Sequence, residues 1–228
     1  MTTYFDFLLT WLKSDRPDLV MHQLYENGWL AEHTPELHRL YGIPQRADHH
    51  PEVDTGRHME LALQWIAANT DDPMVRYAVL VHDIGKGLTP RDQWPAHIKH
   101  EELGVIPGIA LGRRLGVPKE WRLLGALTSR YHLRVHICIR LPARSLVRFF
   151  RDAKFFERPQ LLEPFLLACE ADARGREGLQ DREYPQVDRL KKAFAAALEV
   201  APIENPCTYH ETRIRHVAKA LRAAEASH

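Results

Sequence analysis

The amino-acid sequence predicts an all-α protein. Apolar residues recur about every three to four positions through most of the chain, as Phe5, Leu8, Leu9 and Leu12 do near the N-terminus. The sequence has no series of alternating apolar and polar residues that would mark strands, and no segment repeats at a fixed period. A chain of 228 residues suffices for one large domain, or for one domain with a tail.

The predicted helices begin at capping residues and end near glycine or proline. Asp54 or Thr55 can cap a helix that runs to about residue 68, and Asp72-Pro73 opens the helix that leads into His82. The same reasoning predicts further helices over about residues 3–14, 17–27, 36–41, 97–115, 119–131, 143–153, 159–173 and 184–199, and from about residue 209.

Three further assignments concern segment boundaries. Within 97–115, Pro107 must either start a new helix or kink the existing one. Residues 132–141 are rich in β-branched side chains and could be extended. We expect residues 1–207 to form one domain that includes the N-terminal helices. Residues 208–228 then form an exposed, basic helical tail, with cations at Arg213, Arg215, Lys219 and Arg222.

Composition excludes several classes of protein. The formal net charge is +1, which argues against a dedicated nucleic-acid-binding protein but allows a local basic pocket for a small nucleotide. The 3 cysteines form no CxxC motif and suggest neither a disulfide framework nor a thiolate zinc site. No signal peptide or membrane span is visible, so we expect a cytoplasmic protein without a membrane partner.

The most informative stretch is Tyr77-Ala-Val-Leu-Val-His82-Asp83-Ile-Gly-Lys86-Gly, where an apolar run ends in a His-Asp pair. Imidazole and carboxylate are both ligands for divalent metal ions. Gly85 is expected to end the helix, so that both side chains can face one cleft. Lys86 would then provide a cation where a metal-bound phosphate extends. The simpler interpretation is a histidine that interacts favourably with the dipole at a helix C-terminus.

Other residues strengthen the metal-site hypothesis. Asp172 lies in an apolar run, which predicts a partner such as a metal or a buried arginine. Arg174 and Arg176 follow within about one helical turn, where they could contact phosphate or simply be exposed. The candidate ligands, each of which could also be an ordinary core or surface residue, are His58, His82, Asp83, His100, His132 and Asp172.

These residues resemble the H…HD…D pattern of the HD superfamily of metal-dependent phosphohydrolases. The segments His50-Pro-Glu-Val-Asp-Thr-Gly-Arg-His58, His82-Asp-Ile-Gly-Lys-Gly-Leu-Thr-Pro90, Trp94-Pro-Ala-His97-Ile-Lys-His100 and Glu170-Ala-Asp-Ala-Arg-Gly-Arg176 are similar to the C-terminal HD domain of bacterial CCA-adding enzymes. The likeness runs from about residue 5 to about residue 200 and implies an HD-domain helical bundle.

The resemblance also implies roles for individual residues. It makes His58, His82, Asp83 and Asp172 the ligands of a first metal ion. His100 and His132 would bind a second ion, with Asp83 as the bridge, and the choice between one and two ions stays open. His97 and His136 are less certain positions that would either support a ligand or act as an acid. The ion is a divalent transition metal such as Ni, Mn, Co, Fe or Zn.

The activity implied by the resemblance is that of a 2′,3′-cyclic-nucleotide phosphodiesterase, 2′-nucleotidase and phosphatase. Metal-bound hydroxide would attack phosphorus, Lys86 with Arg174 or Arg176 would neutralise the phosphoryl oxygens, and His132 or His97 would protonate the leaving oxygen. The Gly-Gly strand-turn and paired acidic residues of a CCA-adding head are missing from the sequence. We therefore expect a free-standing phosphohydrolase that does not add CCA.

Several alternatives remain open at this stage. An HD protein could instead hydrolyse 5′-nucleotides, dNTPs or (p)ppGpp. A non-catalytic module that binds tRNA or other RNA is a different class, and a degenerate HD protein without metal is a third. We expect a small nucleotide as the partner, with RNA ends as a second kind of substrate, and the sequence leaves the oligomeric state open.

Overall fold

The computed structural model describes residues 3–225, and within them the chain is helical. Helices α1–α13 are Tyr4–Lys13, Pro17–Glu26, Trp29–His33, Pro35–His38, Thr55–Asn69, Pro73–Val81, His100–Leu103, Val105–Arg114, Lys119–His136, Ala143–Asp152, Leu162–Arg174, Gln186–Leu198 and Pro206–Glu225. Over residues 3–225 there is no strand, and the β-structure amounts to an isolated bridge between Pro44 and Asp54. The all-α prediction is confirmed.

The chain divides into two compact units. The first comprises residues 1–133 and 164–182, and the second comprises residues 134–163 and 183–228. This division differs from the boundary between residues 207 and 208 that was expected from sequence. That residues 1–207 form a functional domain and residues 208–228 a tail stays a prediction. Residues 1–2 and 226–228, which belong to the predicted segments, lie outside the described part of the chain.

In the first unit, capping residues set the helices that matter for the site. The Asp54 carboxylate accepts a hydrogen bond from the Arg57 amide at 2.9 Å and begins α5, and Asp72 accepts from the Met74 amide at 2.8 Å and begins α6. Both caps are as predicted. Helix α5 packs against α2 and α6. The α5–α6 core consists of fully buried Met59, Ala62, Leu63, Ile66, Ala78 and Val79.

The first unit shows where Pro107 lies relative to a helix, and it shows that α6 ends at a different residue from the one predicted. Pro107 is the third residue of α8, where a backbone N–H has no partner within the helix, so the proline costs no hydrogen bond there. Helix α6 ends at Val81, earlier than predicted. Gly85 lies in the 3-10 helix Ile84–Leu88 and is needed because α7 approaches its backbone closely.

The β-branched stretch that follows 131 is helical rather than extended. Helix α9 continues to His136, and a 3-10 turn follows at Cys138–Arg140. Val135 is fully buried while Ile137 is 53% exposed, so the apolar pattern fits one face of a helix and not the alternation of a strand.

In the second unit, helices α10 and α12 pack against α13. The predicted C-terminal helix is present as α13, but the expectation that it is simply exposed was wrong. Ile214, Val217 and Leu221 are at helical spacing and are buried at 9%, 0% and 6% exposure. The Arg213 guanidinium lies 3.9 Å from the ring centroid of Phe156, so one cation of this basic helix also covers apolar surface.

None of the helices over residues 3–225 combines the length and the apolar composition that a membrane crossing requires.

The close approach of α7 to Gly85 predicts a cost for any side chain there. A Cβ at Gly85 would overlap the carbonyl oxygen of His100 and lie 2.7 Å from the Gly104 nitrogen. Gly85→Ala should therefore lower the free energy of unfolding by roughly 1–3 kcal/mol, as overpacking usually does. Urea denaturation in the presence of a chelator measures this without a contribution from bound metal.

Gly108→Ala provides the matched control for Gly85→Ala. Gly108 lies within α8, and a Cβ there would meet nothing within 4 Å. This substitution should be neutral or stabilising by up to about 1 kcal/mol, because alanine is the better helix former. Equal stability of wild type and Gly85→Ala would contradict the packing described for Gly85.

Candidate metal centre

Five segments of the first unit place the six predicted ligands together. His58 is on α5, His82 and Asp83 follow α6, and His100 begins α7. His132 is on α9 and Asp172 is on α11. All six are buried, with residue exposures of 5% or less. Side chains from distant parts of the sequence therefore share one polar interior site, and the structure brings together all the residues named as candidate ligands.

The Asp83 carboxylate lies between two groups of imidazoles. Its Oδ2 atom is 3.9 Å from Nε2 of His58 and 3.3 Å from Nε2 of His82. Its Oδ1 atom is 3.4 Å from Nε2 of His100 and 3.7 Å from Nε2 of His132. One carboxylate thus presents a separate oxygen to each group, which is the geometry that a bridging ligand needs.

Asp172 completes the first of the two groups. Its Oδ1 atom is 3.2 Å from Nε2 of His58 and 3.8 Å from Nε2 of His82. Two ligands that each lie about 2.0–2.2 Å from one ion are separated by up to roughly 4.4 Å, so these separations suit a shared cation. In the second group, Nε2 of His100 and Nε2 of His132 are 3.2 Å apart.

Hydrogen bonds fix the tautomer of the histidines. Nδ1 of His82 donates to the Val79 carbonyl at 2.7 Å. Nδ1 of His100 and of His132 likewise lie 2.8 and 2.9 Å from the carbonyl oxygens of His97 and Ser129. Because a carbonyl can only accept, these Nδ1 atoms carry a proton, so in the neutral form of each ring the Nε2 lone pair faces the cluster.

The interior of the cluster contains polar atoms that a cation would satisfy. Within residues 3–225, both ring nitrogens of His58, Nε2 of His82 and Oδ1 of Asp83 are buried and make no hydrogen bond. The two Nε2 lone pairs of His100 and His132 face each other across 3.2 Å. Unpaired buried polar atoms and opposed lone pairs are unfavourable, so this donor set fits a divalent metal ion.

The electrostatics of the cluster favour a cation as well. Burial would raise the pKa of Asp83, but Lys86 and His82 outweigh burial and hold that pKa well below its usual value. Burial would lower the pKa of His82, but Asp83 and Asp172 raise it. Burial holds the pKa of His132 well below its usual value. Asp83 is therefore ionised and His132 neutral, the forms in which both can bind a metal.

Lys86 is buried and contacts the candidate ligand Asp83 directly, which the sequence did not indicate. Its Nζ atom is 2.5 Å from Oδ2 of Asp83 and also donates to Oε1 of Gln45, and the residue is buried. The lysine thus orients and neutralises a candidate ligand. An ammonium group has three N–H donors, so one remains for a phosphoryl oxygen.

The two predicted arginines occupy different positions. Arg176 donates to Oδ1 of Asp172 at 3.0 Å, and it also donates to the His49 carbonyl at 3.1 Å. Arg174 is not brought to the cluster. It pairs with Glu170 at 2.8 Å and lines a groove between α5 and α11, where it lies over Trp65.

The reason for the position of Arg174 is helix geometry. Residues two apart on a helix point about 200° from each other, so Arg174 and Asp172 face opposite sides of α11. The predicted phosphate contact by Arg174 has no support in its observed contacts, and Arg176 is the arginine that accompanies the site.

His97 supports the site through its backbone rather than its ring. Nε2 of His97 donates to the Pro44 carbonyl at 2.8 Å, and Nδ1 lies 2.6 Å from Oγ1 of Thr89. Burial lowers the pKa of His97, which favours the neutral ring. Its carbonyl accepts from His100. The other less certain histidine, His136, belongs to the second unit, where its Nδ1 lies 2.7 Å from the Tyr184 hydroxyl oxygen.

His50 and Glu52 belong to this region but were not assigned roles from sequence. Oε1 of Glu52 is 3.1 Å from Nδ1 of His58 and 3.0 Å from Nδ1 of His50. Burial would raise the pKa of Glu52, but its contacts with His50 and His58 outweigh burial and lower it. The signal available in the sequence was an acid in a polar loop shortly before His58, and a loop has no periodicity that would show where the acid points.

Named relatives match this chain over most of its length. A multifunctional CCA protein of Alkalilimnicola ehrlichii is 48% identical over 210 residues, which cover 92% of this chain and 50% of the relative. A protein of the same name from Pseudomonas fluorescens is 43% identical over 190 residues, 83% of this chain and 46% of the relative. A third, from Paraburkholderia phymatum, is 41% identical over 224 residues, 93% of this chain and 54% of the relative.

These similarities cover only part of each relative. The chain spans about half the length of the curated relatives it matches. No family model matches the chain. The similarity to CCA enzymes expected from sequence is confirmed. Most of the chain is homologous to a segment that makes up about half the length of each multifunctional CCA protein. The buried histidine and aspartate clusters of the chain are consistent with the HD-domain portion of those proteins.

Proposed function

We propose that the chain is a metal-dependent phosphohydrolase that acts on nucleotides, with 2′,3′-cyclic phosphates and 2′-phosphates as the preferred groups. The observation that carries the proposal is the carboxylate of Asp83, whose two oxygens face two separate groups of imidazoles. Homology with multifunctional CCA proteins supports a nucleotide, or the end of an RNA, as the substrate.

The donor set of nitrogen and oxygen atoms suits Ni, Mn, Co, Fe or Zn. One ion would be held by His58, His82, Asp172 and Oδ2 of Asp83. A second ion would be held by His100, His132 and Oδ1 of Asp83. A divalent ion, when bound, supplies Lewis-acid chemistry, because it lowers the pKa of water and neutralises negative charge on a phosphoryl group.

The charge balance of the site supports a phosphate substrate. The carboxylates of Asp83 and Asp172 are each paired with one cation, Lys86 and Arg176. Glu52 leaves a single excess negative charge near His58. One divalent ion therefore makes the region net positive, and a buried net positive charge attracts a phosphate and stabilises its transition state.

The orientation of the histidines supports an easily broken bond as the target. The ring nitrogens of His97 are engaged by Pro44 and Thr89, and Nδ1 of His132 is engaged by backbone carbonyls. The predicted acid role of either residue would compete with these contacts. A 2′,3′-cyclic phosphate has a strained ring and needs less protonation of its leaving oxygen than an unstrained ester does.

Asp83→Asn should abolish metal binding at both positions. The amide has no negative charge and cannot give an anionic oxygen to each group. Turnover of 2′,3′-cyclic AMP should therefore fall by more than about 100-fold, because losing even a residue that only hydrogen-bonds to a metal ligand can cost that much. Asp172→Asn should reduce the metal content at the first group and leave the second group able to bind. Metal analysis of dialysed protein, together with initial rates, measures both effects.

Asp18→Asn serves as the control for these two variants. Asp18 is also a buried carboxylate, at 5% exposure, and it pairs with Arg16 at the start of α2 rather than with the cluster. Its substitution should leave metal content and turnover unchanged. The proposal is wrong if chelated wild type or Asp83→Asn hydrolyses 2′,3′-cyclic AMP at the wild-type rate.

A panel of nucleotides tests the preferred substrate separately from the metal. Protein loaded with Mn²⁺, Co²⁺ or Ni²⁺ should hydrolyse 2′,3′-cyclic AMP and 2′-AMP faster than 3′-AMP, 5′-AMP or a dNTP. The cyclic phosphate has a strained ring, and both preferred substrates carry phosphate on the 2′ oxygen, as proposed above. Phosphate release and product chromatography provide the readout. A preference for 5′-AMP or a dNTP would favour another nucleotidase, and a salt-dependent tRNA complex without turnover would favour an RNA-binding module.

A further inference from the structure

We infer that Glu52 is a positioning residue for the metal centre, because it fixes the tautomer and the direction of His58. The inference rests on the proposed metal-dependent function and deepens it. Oε1 of Glu52 lies 3.1 Å from Nδ1 of His58, and the Glu52 side chain is only 1% exposed. In this geometry Nδ1 of His58 is close to Glu52 but makes no aligned hydrogen bond. Because a carboxylate oxygen can only accept, we infer that Nδ1 carries the proton facing Glu52 and that Nε2 is left for the ion.

His58 differs in this respect from the other three histidines of the cluster. Nδ1 of His82, His100 and His132 is held by backbone carbonyls, which no substitution removes. His58 is held by a side chain from the loop that precedes α5. The tautomer of one candidate ligand can therefore be disturbed without altering any of the six residues that would bind metal.

Glu52 is itself held in place by several contacts. Oε1 also accepts from Nδ1 of His50 at 3.0 Å, and Oε2 accepts from the Glu177 amide at 3.3 Å. The His50 and His58 rings have centroids 4.7 Å apart in an edge arrangement. The carboxylate is thus oriented before any ion binds, as an effective supporting residue must be.

His50, Glu52 and His58 are also close enough together to hold a separate ion. The chemistry of the His58 ring argues against such an ion. A neutral imidazole has one lone pair, and Nε2 of His58 already faces Asp172 and Asp83 at 3.2 and 3.9 Å. The positioning role uses Nδ1 as a donor and Nε2 as a ligand, which satisfies both nitrogens.

The test is to titrate metal-free protein with Co²⁺, whose visible absorption reports coordination, in competition with a chelator of known affinity. Glu52→Ala removes the acceptor. It should weaken the Co²⁺ site that contains His58 by about 10–100-fold and change its spectrum, as the loss of such partners does. Glu52→Gln keeps an oxygen acceptor without the charge and should lie between wild type and Glu52→Ala.

Glu60 provides a matched control on the helix that carries His58. It is a buried glutamate at 4% exposure that also lies 2.9 Å from a histidine Nδ1, that of His22, and it accepts from Tyr41 and Arg57. It has no contact with a candidate ligand among the contacts of the described chain. Glu60→Gln and Glu60→Ala should lower the thermal unfolding midpoint of metal-free protein but leave Co²⁺ affinity and spectrum unchanged.

The outcomes separate the inference from the function on which it rests. Wild-type Co²⁺ affinity and spectrum in Glu52→Ala would overturn the positioning role while leaving the metal centre intact. Equal losses of affinity in the Glu52 and Glu60 variants would also overturn it, because they would indicate a general effect of folding. Failure of wild type to bind Co²⁺ would overturn the proposed function itself.

Discussion

The shared carboxylate of Asp83 is the constraint on which the arrangement of the first unit depends. A fully buried charge is costly unless it is paired, and Asp83 is surrounded by Lys86 and by imidazoles from three other segments. Each of those segments must therefore end or turn where its side chain can reach one point. The helices of the first unit serve this purpose as much as they bury apolar surface.

The chain achieves the convergence through helix ends. Helix α6 stops at Val81. His82 still has helical backbone angles, φ −62° and ψ −35°, whereas Asp83 departs from them with φ −105° and ψ 10°, and both side chains reach the cluster. The absence of a side chain at Gly85 lets the start of α7 approach, and this brings His100 to the second oxygen of Asp83. The turn before α7 is tight, since both His97 and Lys99 have positive φ angles, 47° and 63°. The ligand geometry thus depends on local backbone features that apolar periodicity does not encode.

The sequence was sufficient for the fold class and for the set of residues that meet. Amphipathic periodicity and capping at Asp54 and Asp72 predicted α5 and α6, and the motif resemblance selected imidazoles and carboxylates from distant segments. Their assignment to particular ions and steps remains a proposal. Helix geometry alone could have placed Arg174 on the far side of α11 from Asp172, and the apolar stripe of α13 could have shown that one face is buried.

Other features were beyond sequence reasoning for physical reasons. The partner of a buried cation is decided by tertiary packing, so nothing in the sequence near Lys86 indicates that its ammonium would be shared between Asp83 and Gln45. Glu52 lies in a loop, where side-chain direction follows from neither a 3.6-residue nor a 2-residue period. Its contact with His58 depends on a turn in which Val53 has a φ angle of 59°.

The loop 44–54 therefore has a larger part in the centre than its lack of regular structure suggests. Gln45 contacts Lys86, the Pro44 carbonyl contacts His97, the His49 carbonyl contacts Arg176, and Glu52 contacts His58. Every one of these partners supports or forms the candidate ligand set, so the conformation of the loop and the geometry of the cluster depend on each other. Substitutions within the loop can consequently change the geometry of the cluster while all six candidate ligands stay the same.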